Sequence, residues 1–379
     1  MLIAIPAETD PDEGRVAATP ETVKKFVELG AEVRIEAGAG LKSGFLDNEY
    51  AQAGGAVVQS AAATLNGADI VLRVRRPATE EIAGVKPGAA VIAIMAPYGH
   101  GDALKSVAGA GVCAFAMEFM PRITRAQSMD VLSSQANVAG YRAVIDAAAE
   151  YGRVIPMMMT AAGMIQPAKI FIMGVGVAGL QAIATARKFG AIVTATDVRP
   201  ATKEQVVSLG AKFIAVEDEE FKQAETAAGY AKEMSTGYKA KQAALIAEHI
   251  SSQDIVITTA LIPGRPAPVL ITAAMVEAMR PGSVIVDLAV ERGGNCELAK
   301  AGETVVSKNG AKIIGRLNVA GQVPATASAL YAKNLLAFVE TMIEPKTKSL
   351  AIKWDDELIK ATLLTKDGAL VHPSFKAGS

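Results

Sequence analysis

The chain has 379 residues, 51% of them apolar and only 5% aromatic, enough for two or three domains with substantial cores. Its 38 Lys and Arg against 39 Asp and Glu leave a net charge of −1, which gives no drive toward nucleic acid or anionic lipid. Two distant cysteines, Cys113 and Cys296, match no metal-ligand spacing and suit a reducing compartment; with no basic leader and no uninterrupted apolar run of about 18 residues, a soluble, cytoplasmic protein without a metal site is expected.

From the first residue, short apolar runs alternate with amphipathic segments. Strands are predicted at 2–7, 31–37, 69–74, 89–95 and 112–118. Between the first two, Val23, Phe26 and Val27 recur at helical spacing behind Thr19-Pro20, an N-cap pair. A helix over 137–154 bridges to a second series of strands at 168–176, 192–198, 211–216, 254–261, 283–290 and 311–317, with a helix over 180–190 closed by Gly190. Another helix, 325–343, returns the chain toward its start, and the tail reads as strands joined by Asp-Asp and Asp-Gly turns. The class is α/β: two doubly wound Rossmann-like domains with parallel sheets and an interdomain cleft. The first comprises 1–136 and 325–379, and the second, a dinucleotide-binding domain, 137–324.

The strongest chemical signal is Gly174-Val175-Gly176-Val177-Ala178-Gly179, between a predicted strand and a predicted helix. Gly174 permits a tight turn, Gly176 lets the backbone approach a pyrophosphate, and Gly179 allows close helix–strand packing. The helix N-terminus offers N–H groups and a positive dipole end. Asp197 ends the next strand and suits the adenosine ribose hydroxyls; its charge disfavours a 2′-phosphate and selects NAD(H). Val198 adjoins it, and Arg199 is a complication because an arginine there can accommodate that phosphate. The loop Ala260-Leu261-Ile262-Pro263-Gly264-Arg265-Pro266 leaves a strand at the same sheet edge and reads equally as cofactor contact or as a stiff connection.

Residues 121–135, PRITRAQSMDVLSSQ, form a polar loop at the end of a strand, where a nicotinamide ring would lie. Arg122 can donate to a carboxamide or hold the loop through Asp130, Ser133 can bond the carboxamide, and Gln127 can reach a ribose or a second ligand. The structural alternative is a salt-bridged, helix-capping loop. A long polar segment, 217–240, carries Gly229 and Gly237 and reads as a lid, with Tyr230 placed to fold onto nucleotide, or else as a surface hairpin. The three histidines are His100, His249 and His372. His249 and His372 read as surface or structural. A dehydrogenase acting on a keto or imino acid needs a general acid beside its substrate; hydride exchange between two nicotinamides moves no proton at the reacting carbons and demands positioning instead.

The segments MEFMPRITRAQSMDVLSSQANVAGYRAVIDAA (117–148), PMMMTAAG (156–163), GVGVAGLQAIATARKFGA (174–191), AGYAKEM (228–234), ITTALIPGRPAPVLIT (257–272) and VIVDLAVERGGNCEL (284–298) resemble domain I of proton-translocating NAD(P) transhydrogenase, over nearly the whole chain. The resemblance implies an NAD(H)-binding subunit, catalytic only in complex. It would transfer hydride directly from NADH to NADP⁺ held on a separate domain III subunit. Proton translocation would run through a separate membrane subunit. It implies a homodimer, peripheral on the cytoplasmic face of the inner membrane, with Arg122, Gln127, Asp130 and Ser133 around the nicotinamide, Gln127 reaching toward NADP(H), Asp197 on the ribose and Tyr230 on a closing loop. The family is similar in fold to alanine dehydrogenase, which shares the opening with Arg15. Alanine dehydrogenases carry a lysine in a VKVKEP-like run and a histidine at the end of the next strand. Here the first reads VLRVRRP, with Arg73, Arg75 and Arg76, and Met95 and Ala96 end the strand, with His100 several residues late. The alternatives are an alanine-dehydrogenase-like enzyme and a non-catalytic NAD(H)-sensing module.

Overall fold

Runs of Val, Ile and Ala with both faces apolar become the strands of two largely parallel sheets, buried on both sides. The computed structural model describes residues 1–223, 234–262 and 264–375. The chain divides into one unit of Met1–Gln135 with Ala320–Ser379 and a second of Ala136–Val319.

In the first unit, strands β1 (Leu2–Ile5), β2 (Glu32–Glu36), β3 (Ala56–Val58), β4 (Ile70–Arg75), β5 (Ala90–Ile94) and β6 (Cys113–Ala116) form a parallel sheet of order β3-β2-β1-β4-β5-β6. Strand order reverses between β1 and β4, the topological switch point of a doubly wound sheet. The helix Pro20–Glu28 starts where Thr19 closes a capping box with Thr22 and buries Val23 and Phe26 against the sheet. Helix Pro324–Glu340 packs Tyr331, Leu335 and Phe338 into the same core.

The tail belongs to this unit, and its local structure differs from the expectation of strands throughout. Asp356 caps a helix, Glu357–Thr362, in place of an Asp-Asp turn. Asp367 and Gly368, both at positive φ, turn a hairpin between Thr365–Lys366 and Ala369–Leu370. Leu364 donates to the Ala114 carbonyl, and Thr365 Oγ1 bonds Val112 and Ala114, so the tail covers the free edge of β6.

In the second unit, a short hairpin of β7 (Met158–Thr160) and β8 (Gly163–Ile165) precedes a seven-stranded sheet. That sheet is β11 (Lys212–Phe213), β10 (Ile192–Thr196), β9 (Lys169–Met173), β12 (Ile255–Thr258), β13 (Val284–Asp287), β15 (Lys312–Ile314) and β14 (Thr304–Val306), in this order, with β14 alone antiparallel. Its switch point lies between β9 and β12. The expected doubly wound α/β architecture holds in both units. The hairpin and the edge strands β3 and β14 were not anticipated; each is three residues long, too short for a periodic signal.

Two helices begin earlier than their apolar periodicity indicates, because caps decide their starts. Helix Val131–Glu150 begins six residues before position 137, where Asp130 accepts from the Ser133 N–H and hydroxyl at 2.9 and 2.6 Å. Helix Thr236–Ile250 starts inside the polar segment 217–240, capped by Ser235, so Gly237 lies in its first turn. No helix among the described residues is long and apolar enough to cross a membrane.

Candidate dinucleotide site and the polar loop

The turn after β9 is built by steric necessity. Gly174 sits at φ +100 and donates to the Thr196 carbonyl at 2.9 Å. A Cβ on Gly179 would stand 1.9 Å from the Gly174 carbonyl oxygen, so helix Val177–Lys188 leaves the sheet only with glycine there. Gly140, in the long helix Val131–Glu150, makes a similar approach: its Cβ would lie 2.1 Å from the Ala178 carbonyl oxygen. Gly176 is different. Among the described residues a Cβ there meets nothing within 4 Å, and no side chain caps the helix that follows. Among the described residues nothing pairs with the opening N–H groups of this twelve-residue helix, which fits a pyrophosphate. Val175 is buried, Ala178 half-buried and Val177 exposed.

Asp197 follows β10, and its side chain is 7% exposed. Its Oδ2 accepts from the Val175 N–H at 2.7 Å, tying the end of β10 to the glycine turn. Arg199 clasps the same carboxylate through Nε at 2.9 Å and Nη2 at 3.0 Å. Val198 between them is exposed, as are Leu261 and Ile262 after β12, leaving apolar side chains in solvent at the carboxyl edge of this sheet. Pro263 and residues 224–233, with Gly229 and Tyr230 of the expected lid, lie outside the described residues.

The loop after β12 is held by a network that the sequence reading missed. Asn295, fully buried, accepts from the Ala260 N–H at 3.0 Å and donates to the Ala260 and Pro268 carbonyls at 2.9 and 2.8 Å. Asn295 and Cys296 in turn donate their N–H groups to Asp287 Oδ2 at 2.7 and 2.9 Å, while Oδ1 accepts from Ala289 N–H and the Thr258 hydroxyl. Thr259 Oγ1 donates to the Gly174 carbonyl at 3.0 Å, joining this loop to the glycine turn. The signal was the VDLAVERGGN run itself, in which a buried acid ends a strand and a buried amide follows the glycine turn eight residues on, with no apolar reason for either.

In the first unit, the loop before helix Val131–Glu150 borders an open depression of about 370 Å³, lined by Pro121, Arg122, Ile123, Thr124, Ala126, Gln127 and Asp130. Arg122 and Gln127 are exposed, and among the described residues their side chains form no ion pair or hydrogen bond. Arg122 does not hold the loop through Asp130: among the described residues the two form no ion pair, and the Asp130 carboxylate accepts from Ser133 as a helix cap. The Ser133 hydroxyl proton likewise points to Asp130, leaving its oxygen as an acceptor. The loop is instead anchored from outside: Arg125 forks onto Asp356 and reaches Glu357, and Asn334 donates to the Ser128 carbonyl at 2.7 Å.

At the switch point of the first sheet, side chains fill the edge themselves. Arg15, 5% exposed, forks onto Glu13 through Nε and Nη2 at 2.7 Å and donates to Gln135 Oε1 at 2.8 Å. Arg75 adds a further bond to Glu13 at 2.7 Å. Burial alone would raise the Glu13 carboxyl, but Arg15 and Arg75 outweigh it and hold it at about 2. Glu8 bonds the Val74 N–H and Arg73; there burial prevails and the carboxyl is raised. Ala96, at the end of β5, has φ 44, and its carbonyl with that of Met95 is taken by Arg76. His100 is an exposed N-cap, His372 stacks on Phe119 at 4.7 Å, and His249 bonds Thr194 at 2.9 Å in the second unit, its imidazole lowered by burial.

A doubly wound sheet with a glycine turn, an uncapped helix N-terminus and a strand-end carboxylate defines a nucleotide-binding protein of the Rossmann class. Family models described as alanine dehydrogenase/PNT, N-terminal domain, and alanine dehydrogenase/PNT, C-terminal domain, match residues 4–139 and 143–373. A Rhodospirillum rubrum protein, named as the first portion of NAD(P) transhydrogenase subunit alpha, is 54% identical over 380 residues, spanning 99% of each chain. The crystal structure of transhydrogenase from Sinorhizobium meliloti is 60% identical, with a TM-score of 0.90 over 98% of this chain and all of the other. An L-alanine dehydrogenase structure is 27% identical, with a TM-score of 0.83 over 99% and 98% of the two chains. The chain belongs to the alanine dehydrogenase/PNT family, and within it to the NAD(P) transhydrogenase alpha subunits.

Proposed function

We propose that the chain binds NAD(H) on the 174–179 turn and delivers hydride directly to NADP⁺ held by a separate subunit. The observation that carries this is the turn itself: open space at Gly176 and uncapped N–H groups beside a carboxylate that follows the neighbouring strand. Bound nicotinamide supplies the hydride. The protein's own residues supply position. The helix N-terminus takes the pyrophosphate, Asp197 takes the adenosine ribose, and the exposed apolar side chains of Val198 and Leu261 flank the adenine. Arg122, Gln127, Asp130 and Ser133 serve the nicotinamide end, Asp130 by fixing Ser133. Gln127, with its amide uncommitted among the described residues, reaches toward the second nucleotide.

The partners follow from the same reading. Relatives whose names make them one portion of an alpha subunit support further chains in the complex: an NADP(H)-binding domain III subunit and a membrane subunit through which protons pass. The chain then works on the cytoplasmic face of the membrane. A homodimer is supported by the β7–β8 hairpin, whose Met159 and Met164, with Met157 just before it, are more than half exposed. An isolated two-stranded hairpin with an apolar surface is marginal in water and calls for a covering partner.

The alanine-dehydrogenase alternative is disfavoured by the first sheet's edge. Arg15 and Arg75 are bound to Glu13, and Met95 and Ala96 follow β5 where a catalytic histidine would stand.

The test is reconstitution. Purified chain mixed with an NADP(H)-binding subunit should show rapid hydride exchange when both nucleotides are bound, and negligible oxidation of NADH by pyruvate and ammonia. Exchange that fails with both sites loaded indicates a sensing module, and robust amination of pyruvate indicates the dehydrogenase. Gln127→Asn should slow exchange by roughly tenfold or more while NADH affinity changes less, because misplacing a positioning group costs rate before binding.

A further inference from the structure

Asp197 is the expected acceptor for the adenosine ribose, yet its carboxylate has no acceptor capacity to spare. Oδ1 accepts from the Arg199 backbone N–H and from Arg199 Nε, both at 2.9 Å. Oδ2 accepts from the Val175 N–H at 2.7 Å and from Arg199 Nη2 at 3.0 Å. A carboxylate offers about four lone-pair directions. A ribose diol must donate into at least one of them.

The four donors are not equivalent. Val175 is buried in the turn after β9, and the Arg199 N–H is fixed by the turn after β10. The guanidinium is carried on a flexible stem and is 31% exposed. Its Nη2 also touches the Val175 carbonyl at 3.2 Å, so it lies across the mouth of the glycine turn. Of the four, it is the donor that can leave without moving a strand.

We propose that Arg199 is a specificity-determining plug. Its guanidinium must swing off Asp197 before the adenosine ribose is accepted. By pairing with that carboxylate it sets how sharply the site separates a 2′-hydroxyl from a 2′-phosphate. The inference rests on the reading that the ribose of NAD(H) binds at Asp197. Two opposed effects follow. Displacing a forked, charge-assisted pair opposes NADH binding. A displaced guanidinium beside the ribose tempers the repulsion between Asp197 and a 2′-phosphate. Removing it should therefore improve NADH and worsen NADPH, the reverse of what loss of an ordinary ligand contact does.

The experiment titrates the intact protein, as wild type, Arg199→Met and Asp197→Asn, with NADH, NADPH and an NADH analogue lacking the adenosine 2′-hydroxyl, read by nucleotide fluorescence. Arg199→Met should bind NADH about fivefold tighter and NADPH about tenfold weaker, and the penalty for losing the 2′-hydroxyl should grow about threefold as the freed carboxylate accepts it. Weaker NADH binding in Arg199→Met, or an unchanged 2′-hydroxyl penalty, overturns the plug. If Asp197→Asn changes neither NADH affinity nor that penalty, the ribose does not bind there, and the reading beneath the plug fails with it. Should Arg199→Met not fold, Arg199→Lys keeps the charge without the fork; it should move both affinities in the same directions by smaller factors, and opposite signs overturn the proposal.

Discussion

The two sheets share one winding and differ at the same place. In each, strand order reverses beside the first strand of the sheet, between β1 and β4 and between β9 and β12. At the first reversal the chain fills the edge with its own ions, Glu13 bridging Arg15 and Arg75 while Glu8 meets Arg73. At the second it leaves backbone N–H groups without a partner among the described residues. A switch point is thus a place where a ligand can bind, and whether one does depends on whether side chains have taken the position. The filled edge is a stability element and the open edge a binding element, so substitutions at the two should separate stability from affinity.

Glu13→Ala is expected to have the largest effect. It strands the buried Arg15 and should destabilise the protein by about 3–5 kcal/mol in denaturant unfolding, with NADH affinity of the folded fraction unchanged. A loss of nucleotide affinity with little loss of stability would break the comparison. The same carboxyl gives a pH signature. Glu13 is held at about 2 against an ordinary 4.5, so its contribution is complete above about 4.5 and is lost as pH falls toward 2. Glu8, raised by burial, works in the opposite sense: its contribution is present below its ordinary value and lost as pH rises through the raised one. Acid unfolding of wild type beside Glu13→Gln should show the acid-labile part vanish in the variant; superimposable curves would remove Glu13 from the account.

Asn295→Ala comes next. It leaves the Ala260 N–H and two carbonyls without their partner and should cost about 1–3 kcal/mol, together with weaker NADH binding, because the loop it clamps borders the glycine turn. Unchanged affinity would show that the 260–262 loop is only a connection. Gly176→Ala sharpens the contrast at the open edge. With no group beyond its chain neighbours within 4 Å of the new Cβ among the described residues, stability should change by less than about 1 kcal/mol while NADH affinity falls, the reverse of Glu13→Ala. Smallest is Asp130→Ala, which removes the cap of helix Val131–Glu150 and should cost about 1 kcal/mol. An effect on hydride exchange far beyond that loss would show that Asp130 holds Ser133 for the nicotinamide.

What was legible in the sequence follows the range of the interactions. Gly174 and Gly179 were readable because the clash that requires them is local, five residues apart. Thr19-Pro20 was readable for the same reason, whereas for Asp130 and Ser133 the pattern left a nicotinamide loop and a helix-capping loop equally open, and it is the cap that the described residues form. The Asp287–Asn295–Ala260 clamp and the Glu13–Arg75 bridge join positions 35 and 62 residues apart, and no periodicity encodes such contacts. The saturation of Asp197 was half visible. Arg199 was recognised as a complication for phosphate selection, but its fork onto the carboxylate depends on a turn geometry that a one-dimensional pattern does not specify.

The account turns on where a dinucleotide lies, and a crystal structure of the protein grown with NADH tests it most directly. The expected result places the pyrophosphate oxygens within hydrogen-bond distance of the N–H groups that follow Gly176, with the adenosine ribose at Asp197. A nucleotide seated instead at the edge of the first sheet, with the 174–179 turn uncontacted, would contradict it.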